Sequence, residues 1–142
     1  MDDPYNLDRF VHAQRGVYEV ALAELKAGRK ASHWMWFIFP QLDGLGRSLM
    51  ATRYAITGLA EARAYLAHPV LGPRLVECVE TTVGLTGVTA LDIFGATDAA
   101  KFRSCLTLFA AAAPWEVLFT VALDTYFGGV RDPVTAGRVR KK

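Results

Sequence analysis

Apolar and polar positions follow a helical period along most of this chain. In residues 7–27, Phe10, Gln14, Val17, Ala21, Leu22 and Leu25 recur mostly at steps of three and four, with Asp8, Arg9, Arg15, Glu19 and Lys26 between them. The pattern predicts one long first helix. Asn6 is placed to cap it and Gly28 to close it, with Lys26, Arg29 and Lys30 at its negative end. The next stretch breaks the pattern. The seven residues His33, Trp34, Met35, Trp36, Phe37, Ile38 and Phe39 carry no formal charge, and six of them are large and apolar. On a helix they would cover every face, so they read as a buried plug around which other helices pack. Ser32 is the expected cap, and Pro40 ends the plug by driving Phe39 out of the α region.

Residues 41–47 read as a loop containing Gly44 and Gly46, after which Ser48 caps a short helix through Met50, Ala51 and Tyr54. Further helices are predicted over 59–67, ended by His68 and Pro69, and over 70–83, with Leu71, Leu75, Cys78, Val79 and Thr82 inward. Thr89 opens a short turn of helix that Gly95 ends. Asp98 lies in a good capping region for 99–112. Pro114 falls in the first turn of a last helix closed by Gly128 and Gly129. No alternating run, hairpin dipeptide or fixed repeat argues for strands or a solenoid. The expected fold is all-α, a single compact domain of about seven helices packed around a central apolar helix. It spans residues 1–130 and leaves 131–142 as a flexible basic tail.

Charge sharpens this picture. The net charge is +2, but Arg138, Arg140, Lys141 and Lys142 supply four positive charges at the end, and without them acidic residues outnumber basic ones by 14 to 12. The body carries no broad basic face for nucleic acid. The apolar fraction of 52% implies either a generous core or an apolar face that meets a second subunit. Residues 106–123 imitate a membrane span with Glu116 as their single charge, but Pro114 interrupts the middle. Two buried helices meeting at a break are expected there, and no membrane span. Cys78 and Cys105 have no metal-type spacing and read as small buried hydrophobes in a reducing cytosol. Nothing at the start of the chain has the form of a secretion signal, so the expected location is cytoplasmic.

Candidate chemistry gathers near the plug. On a helix, His33, Trp36 and Phe37 share one face, setting an imidazole beside an aromatic wall. The backbone N–H groups at the start of that helix, with Lys30 and the Ser32 hydroxyl, would attract an anion. The competing reading is that His33 bonds a carbonyl in the core and Lys30 only sits at the end of the first helix. Gln41 must find partners if buried, so it either ties down a loop or faces a ligand. Arg47 and Ser48 follow a glycine-containing loop that could hold a phosphate, although a plain turn is the favoured reading. Arg53 reaches either Asp43 or a ligand anion. His68 at a helix C-terminus is welcome as a cation. Asp98 and Lys101 are one turn apart and pair. Histidines at 12, 33 and 68 have no ligand spacing, so no metal is expected. Ser32 and His33 are adjacent and do not form a nucleophile–base pair.

The run from Ser32 to Gln41, with Gly44, Leu45, Gly46, Arg47 and Ser48, then Tyr65, Leu66, Ala67, His68 and Pro69, then Leu71 and Gly72, then Ile93, Phe94 and Gly95, then Lys101, and finally Thr107, Leu108 and Phe109, resembles a widespread bacterial family of domains of unknown function whose members are often labelled "calpastatin". The resemblance covers residues 7–129. It implies a small, mostly helical, stand-alone cytosolic protein and supplies no reaction. A calpastatin repeat is a disordered inhibitor segment, whereas this chain is apolar and core-forming.

The functional expectation is a site for a small anionic, nucleotide- or ADP-ribose-like ligand. Trp36, Gln41, Arg47 and Arg53 line it, Lys30 and Ser32 hold the anion, His33 acts as acid or base if the site is catalytic, and no cofactor is needed. The alternative is a helical interaction module or homodimer that uses surplus apolar surface.

Overall fold

A computed structural model describes residues 2–140, and among these the chain forms nine helices. They are α1 (Asp8–Gln14), α2 (Tyr18–Lys26), α3 (Met35–Ile38), α4 (Leu49–Arg53), α5 (Leu59–Ala67), α6 (Leu71–Val83), α7 (Ala90–Ala112), α8 (Val117–Phe127) and α9 (Pro133–Arg140). The architecture is all-α, as expected. The sole β pairing among the described residues is an isolated parallel bridge between Leu42 and Ile56.

The central apolar helix is α7. It packs against α5, α8 and α9, while α6 packs against α2, α5 and α8. From Ser104 to Ala110 every residue of α7 is buried, because neighbours cover all sides of that stretch. The aromatic plug lies against this helix, but only four of its residues, Met35–Ile38, are helical. Trp34 and Phe39 are fully buried on either side of that turn. Phe39 meets the ring of Phe102 on α7 at 4.8 Å, and Phe102 meets Phe94 at the same distance. Such aromatic pairs add about 0.5–1.5 kcal/mol each beyond their burial. The plug therefore supplies side chains to the core rather than an axis for it. Its carbonyl at Phe37 accepts from Gln14 Nε2 at 2.7 Å, and Gln14 in turn accepts from Arg74 Nη1 at 3.2 Å.

Three boundaries differ from the sequence reading. The expected single helix over 7–27 is two helices, because Gly16 takes φ 69, a left-handed conformation that interrupts the hydrogen-bond ladder. The cap of α1 is Asp3, whose carboxylate accepts from Leu7 N at 2.7 Å and Asp8 N at 3.0 Å, and these bonds lower its pKa. Asn6 instead adopts φ 51. The turn after Thr89 and the helix over 99–112 are joined in α7 across a kink at Gly95 (φ 77, ψ 168). The expected cap at Thr89 is present, and Asp92 completes it as a capping box.

The expected flexible tail is also a helix in large part. Asp132 accepts from Thr135 N at 2.9 Å and Thr135 Oγ1 at 2.6 Å and starts α9, and Thr135 and Val139 are buried. Arg138 Nη1 donates to the carbonyl of Asp43 at 2.7 Å. The pattern at Thr135 and Val139, four residues apart, was masked by the surrounding charge. Lys141 and Lys142, the rest of that basic tail, lie outside the described residues. The apolar run 106–123 is divided between α7 and α8 around Pro114, and no described helix is long and apolar enough to cross a membrane.

Candidate functional site

The residues expected to form one site are distributed over several places. The start of the plug is organised by Glu24 of α2. Its carboxylate accepts from Ala31 N at 2.8 Å, Ser32 N at 3.0 Å, Trp34 Nε1 at 2.8 Å and the Ser32 hydroxyl. Burial alone would raise the Glu24 carboxyl, but the bonds from Ser32, Ala31 and Trp34 outweigh it and hold the pKa at about 2. Ser32 is thus neither a helix cap nor an anion holder, since a carboxylate already occupies the place an anion would take. Lys30 donates to the Ser32 carbonyl at 2.6 Å and pairs with Asp98 at 2.8 Å, its Nζ 5.0 Å from the centre of the Trp34 ring. His33 stands in a bend and is exposed, so it does not share a helix face with Trp36. The expected imidazole beside an aromatic wall is not formed, because residues 32–34 follow Glu24 rather than a helical path.

Gln41 and Arg47 do come together. They line a cleft of about 450 Å³ with Ser48, Thr97, Lys101, Ser104 and Asp132. One wall is the 41–48 loop. Asp43 N donates to the Ile56 carbonyl and Ile56 N to the Gln41 carbonyl, both at 2.8 Å, and these fix the loop's start. Ser48 fixes its end by accepting from Ala51 N at 3.0 Å as the cap of α4. The opposite wall is α7 beyond the Gly95 kink, where Thr97, Lys101 and Ser104 have the four- and three-residue spacing of a single helix face. Asp132 closes one end.

The cleft is positively charged. The Lys101 ammonium lies 5.3 Å from the centre of the Trp36 ring, which itself is not among the residues lining the cleft. Asp98, 3.6 Å from Lys101, is also held by Lys30. Asp132 is bonded by Thr135 and lies 3.9 Å from Arg103. Among the described residues the side chains of Gln41 and Arg47 make no hydrogen bond or ion pair. The arrangement therefore offers two cations and an unpartnered amide to a molecule in the cleft.

Arg53 lies elsewhere. It lines a cavity of about 570 Å³ with Asp43, Arg9 and Glu61 and makes no ion pair with Asp43; its guanidinium sits 5.6 Å from the Tyr54 ring centre. Within that cavity Arg9 donates to the carbonyls of Tyr5, Asn6, Arg53 and Ala55 and to Glu61. Its donors are fully used, so it fastens chain segments and has none left for a ligand. A third cavity, about 710 Å³, is lined by Asp2, Asp3, Tyr5, Asp8 and His68, and its charge repels anions. His68 serves the start of α6 rather than the end of α5. Its Nδ1 accepts from Val70 N at 3.1 Å and Leu71 N at 3.2 Å and so caps α6. Among the described residues no group of three or more His, Cys, Asp or Glu side chains is placed to hold a metal.

Sequence reasoning missed Thr97 and Asp132, and it read Lys101 and Ser104 as part of a separate cluster around Asp98. Their signal was available in the spacing of 97, 101 and 104 and in Asp132 standing three residues before Thr135, an N-cap pattern.

The crystal structure of the conserved hypothetical protein Rv1873 from Mycobacterium tuberculosis, at 1.38 Å, is similar to this chain: 48% identical, with a TM-score of 0.96 over 97% of this chain and 99% of that one. A search of curated proteins gives no match. The model of a family described as a protein of unknown function, DUF1810, matches residues 4–139, and the chain belongs to that family.

Proposed function

We propose that the cleft between the 41–48 loop and α7 binds a small anionic ligand of nucleotide type. The observation that supports this most is the meeting of Gln41, Arg47 and Lys101 on one cleft of about 450 Å³. That volume falls in the range of small-molecule sites, about 300–1,000 Å³. Lys101 and Arg47 supply charge for a phosphate, and the Gln41 amide supplies a donor and an acceptor. The lining residues include no histidine or cysteine, and His33 is exposed outside them, so the reading is binding rather than acid–base catalysis. A thermal-shift panel of inorganic phosphate, adenosine monophosphate and ADP-ribose tests it. Ligands that fit raise the melting temperature of the wild type and of His33→Ala, and leave Gln41→Ala and Arg47→Ala unmoved. A panel that shifts none of these proteins contradicts the proposal.

A second reading is an interaction module. Trp115, Val117 and Val121, near the start of α8, are 73%, 67% and 41% exposed, more apolar surface than the fold itself uses. Gel filtration separates the two readings. A dimer broken by Trp115→Glu supports the second, and a concentration-independent monomer removes its homodimer form.

A further inference from the structure

The kind of anion follows from how two lysines share one carboxylate, and the inference rests on the cleft reading above. Lys30 Nζ is 2.8 Å from Asp98 Oδ2, whereas Lys101 Nζ is 3.6 Å from Asp98 Oδ1. The Lys30 side chain is 8% exposed and that of Lys101 27% exposed. The closer and drier pair is Lys30 with Asp98, so the single Asp98 charge is met mainly by Lys30, which does not line the cleft, and the two lysines keep one net positive charge on the Lys101 side. Arg47 adds a second cation from the facing loop. The other charged groups around the cleft do not alter this. Asp132 is bonded by Thr135 and faces Arg103 at 3.9 Å, and Asp43, on the same loop as Arg47, lines the Arg9 cavity instead.

We infer that the cleft is matched to a dianionic phosphate monoester, and that Lys30, which does not line the cleft, sets this preference by neutralising Asp98. A monoanion such as a carboxylate leaves one of the two cations unanswered. Lys30 is a positioning residue here: it acts on the ligand only through the charge that Asp98 would otherwise place on Lys101.

Equilibrium titrations of the full chain with methyl phosphate, adenosine monophosphate and sulfate, at pH 5 and pH 8, test this. A phosphate monoester passes from monoanion to dianion around a second pKa of about 6, whereas sulfate stays dianionic across the interval. Both monoesters are expected to bind about tenfold more tightly at pH 8 than at pH 5, measured relative to sulfate. His33 is the histidine nearest the cleft in sequence, and protonating it would favour anions at low pH, the opposite direction; the sulfate arm removes that contribution.

Mutations separate charge from architecture. Lys30→Met lets Asp98 turn to Lys101 and weakens monoester binding about tenfold at pH 8. Asp98→Asn binds at least as tightly as the wild type. The double variant Lys30→Met/Asp98→Asn regains affinity to within about threefold of the wild type, because the same two cations again face the ligand. A purely structural role for Lys30 leaves the double variant as weak as Lys30→Met, and that result overturns the inference. So do monoester affinities that follow sulfate between the two pH values. Absence of binding by all three anions overturns the cleft reading as well, whereas binding without pH preference overturns only the inference.

Discussion

Arg9 and Glu61, 52 residues apart, meet at 3.1 Å in a place where the Glu61 side chain is 1% exposed. Glu61 also accepts from Thr57 N and Thr57 Oγ1, each at 2.9 Å. Removing either partner leaves the other charge buried and unanswered. Arg9→Ala and Glu61→Ala are each expected to lower unfolding free energy by about 3–5 kcal/mol, read from urea denaturation midpoints at constant m. A loss below about 1 kcal/mol, the scale of a surface pair, contradicts a fastening role.

The Glu24 carboxyl, held at about 2 by its hydrogen bonds, gives a pH signature. Its folded pKa is below the unfolded value, so the stabilisation is complete above about pH 5 and is lost as pH falls through 4 toward 2. Glu24 is partly exposed, and solvent screening limits the effect to about 1–2 kcal/mol. Denaturation curves at pH 6 and pH 3 show the wild type losing this amount more than Glu24→Gln does. Equal losses in the two proteins contradict the assignment.

Gly72, the second residue of α6, lets that helix pass close to α5. A Cβ at position 72 would overlap the carbonyl oxygen of Leu66 and lie 2.9 Å from its carbon, both backbone atoms that cannot swing away. Gly72→Ala is expected to cost about 1–3 kcal/mol, the range of overpacked cores, even though alanine is the better helix former. Thermal denaturation checks the sign, and a stabilised variant refutes the close crossing.

The helix-by-helix plan was legible where local chemistry decides it. Ser48, Thr89 with Asp92, Pro40 and the break at Pro114 each do what their residue types dictate. The reading of the Ser32–His33–Trp34 turn failed because a carboxylate ten residues before Trp34, Glu24, overrides the helical path, and a helical wheel of the plug does not contain it. The tail was misread for a similar reason. The buried Thr135 and Val139 are few beside the arginines around them, and their partners lie on α7, far away in sequence. Of the expected site residues, Gln41, Arg47 and Ser48 line one cleft, because the short 41–48 loop carries all three. That Lys101 would join them depended on the Gly95 kink in α7, which periodicity alone does not display.

Both thiols are shielded. Burial pushes Cys78 up to about 12 and Cys105 up as well, and each side chain is fully buried. The thiolate is the reactive form, so neither is expected to react with a thiol reagent at pH 8 in the folded protein, and both react in denaturant. Rapid labelling of the native chain contradicts their placement in the core.

The central claim is that Gln41, Arg47 and Lys101 face a ligand. A nuclear magnetic resonance titration with adenosine monophosphate reads the place of binding directly. The account predicts saturable shifts at the Gln41 side-chain amide and the Trp36 indole, none at the Trp115 indole, and none anywhere in Arg47→Ala/Lys101→Ala. Shifts centred on the Arg9 cavity, or an unchanged spectrum of the wild type at millimolar nucleotide, would contradict it.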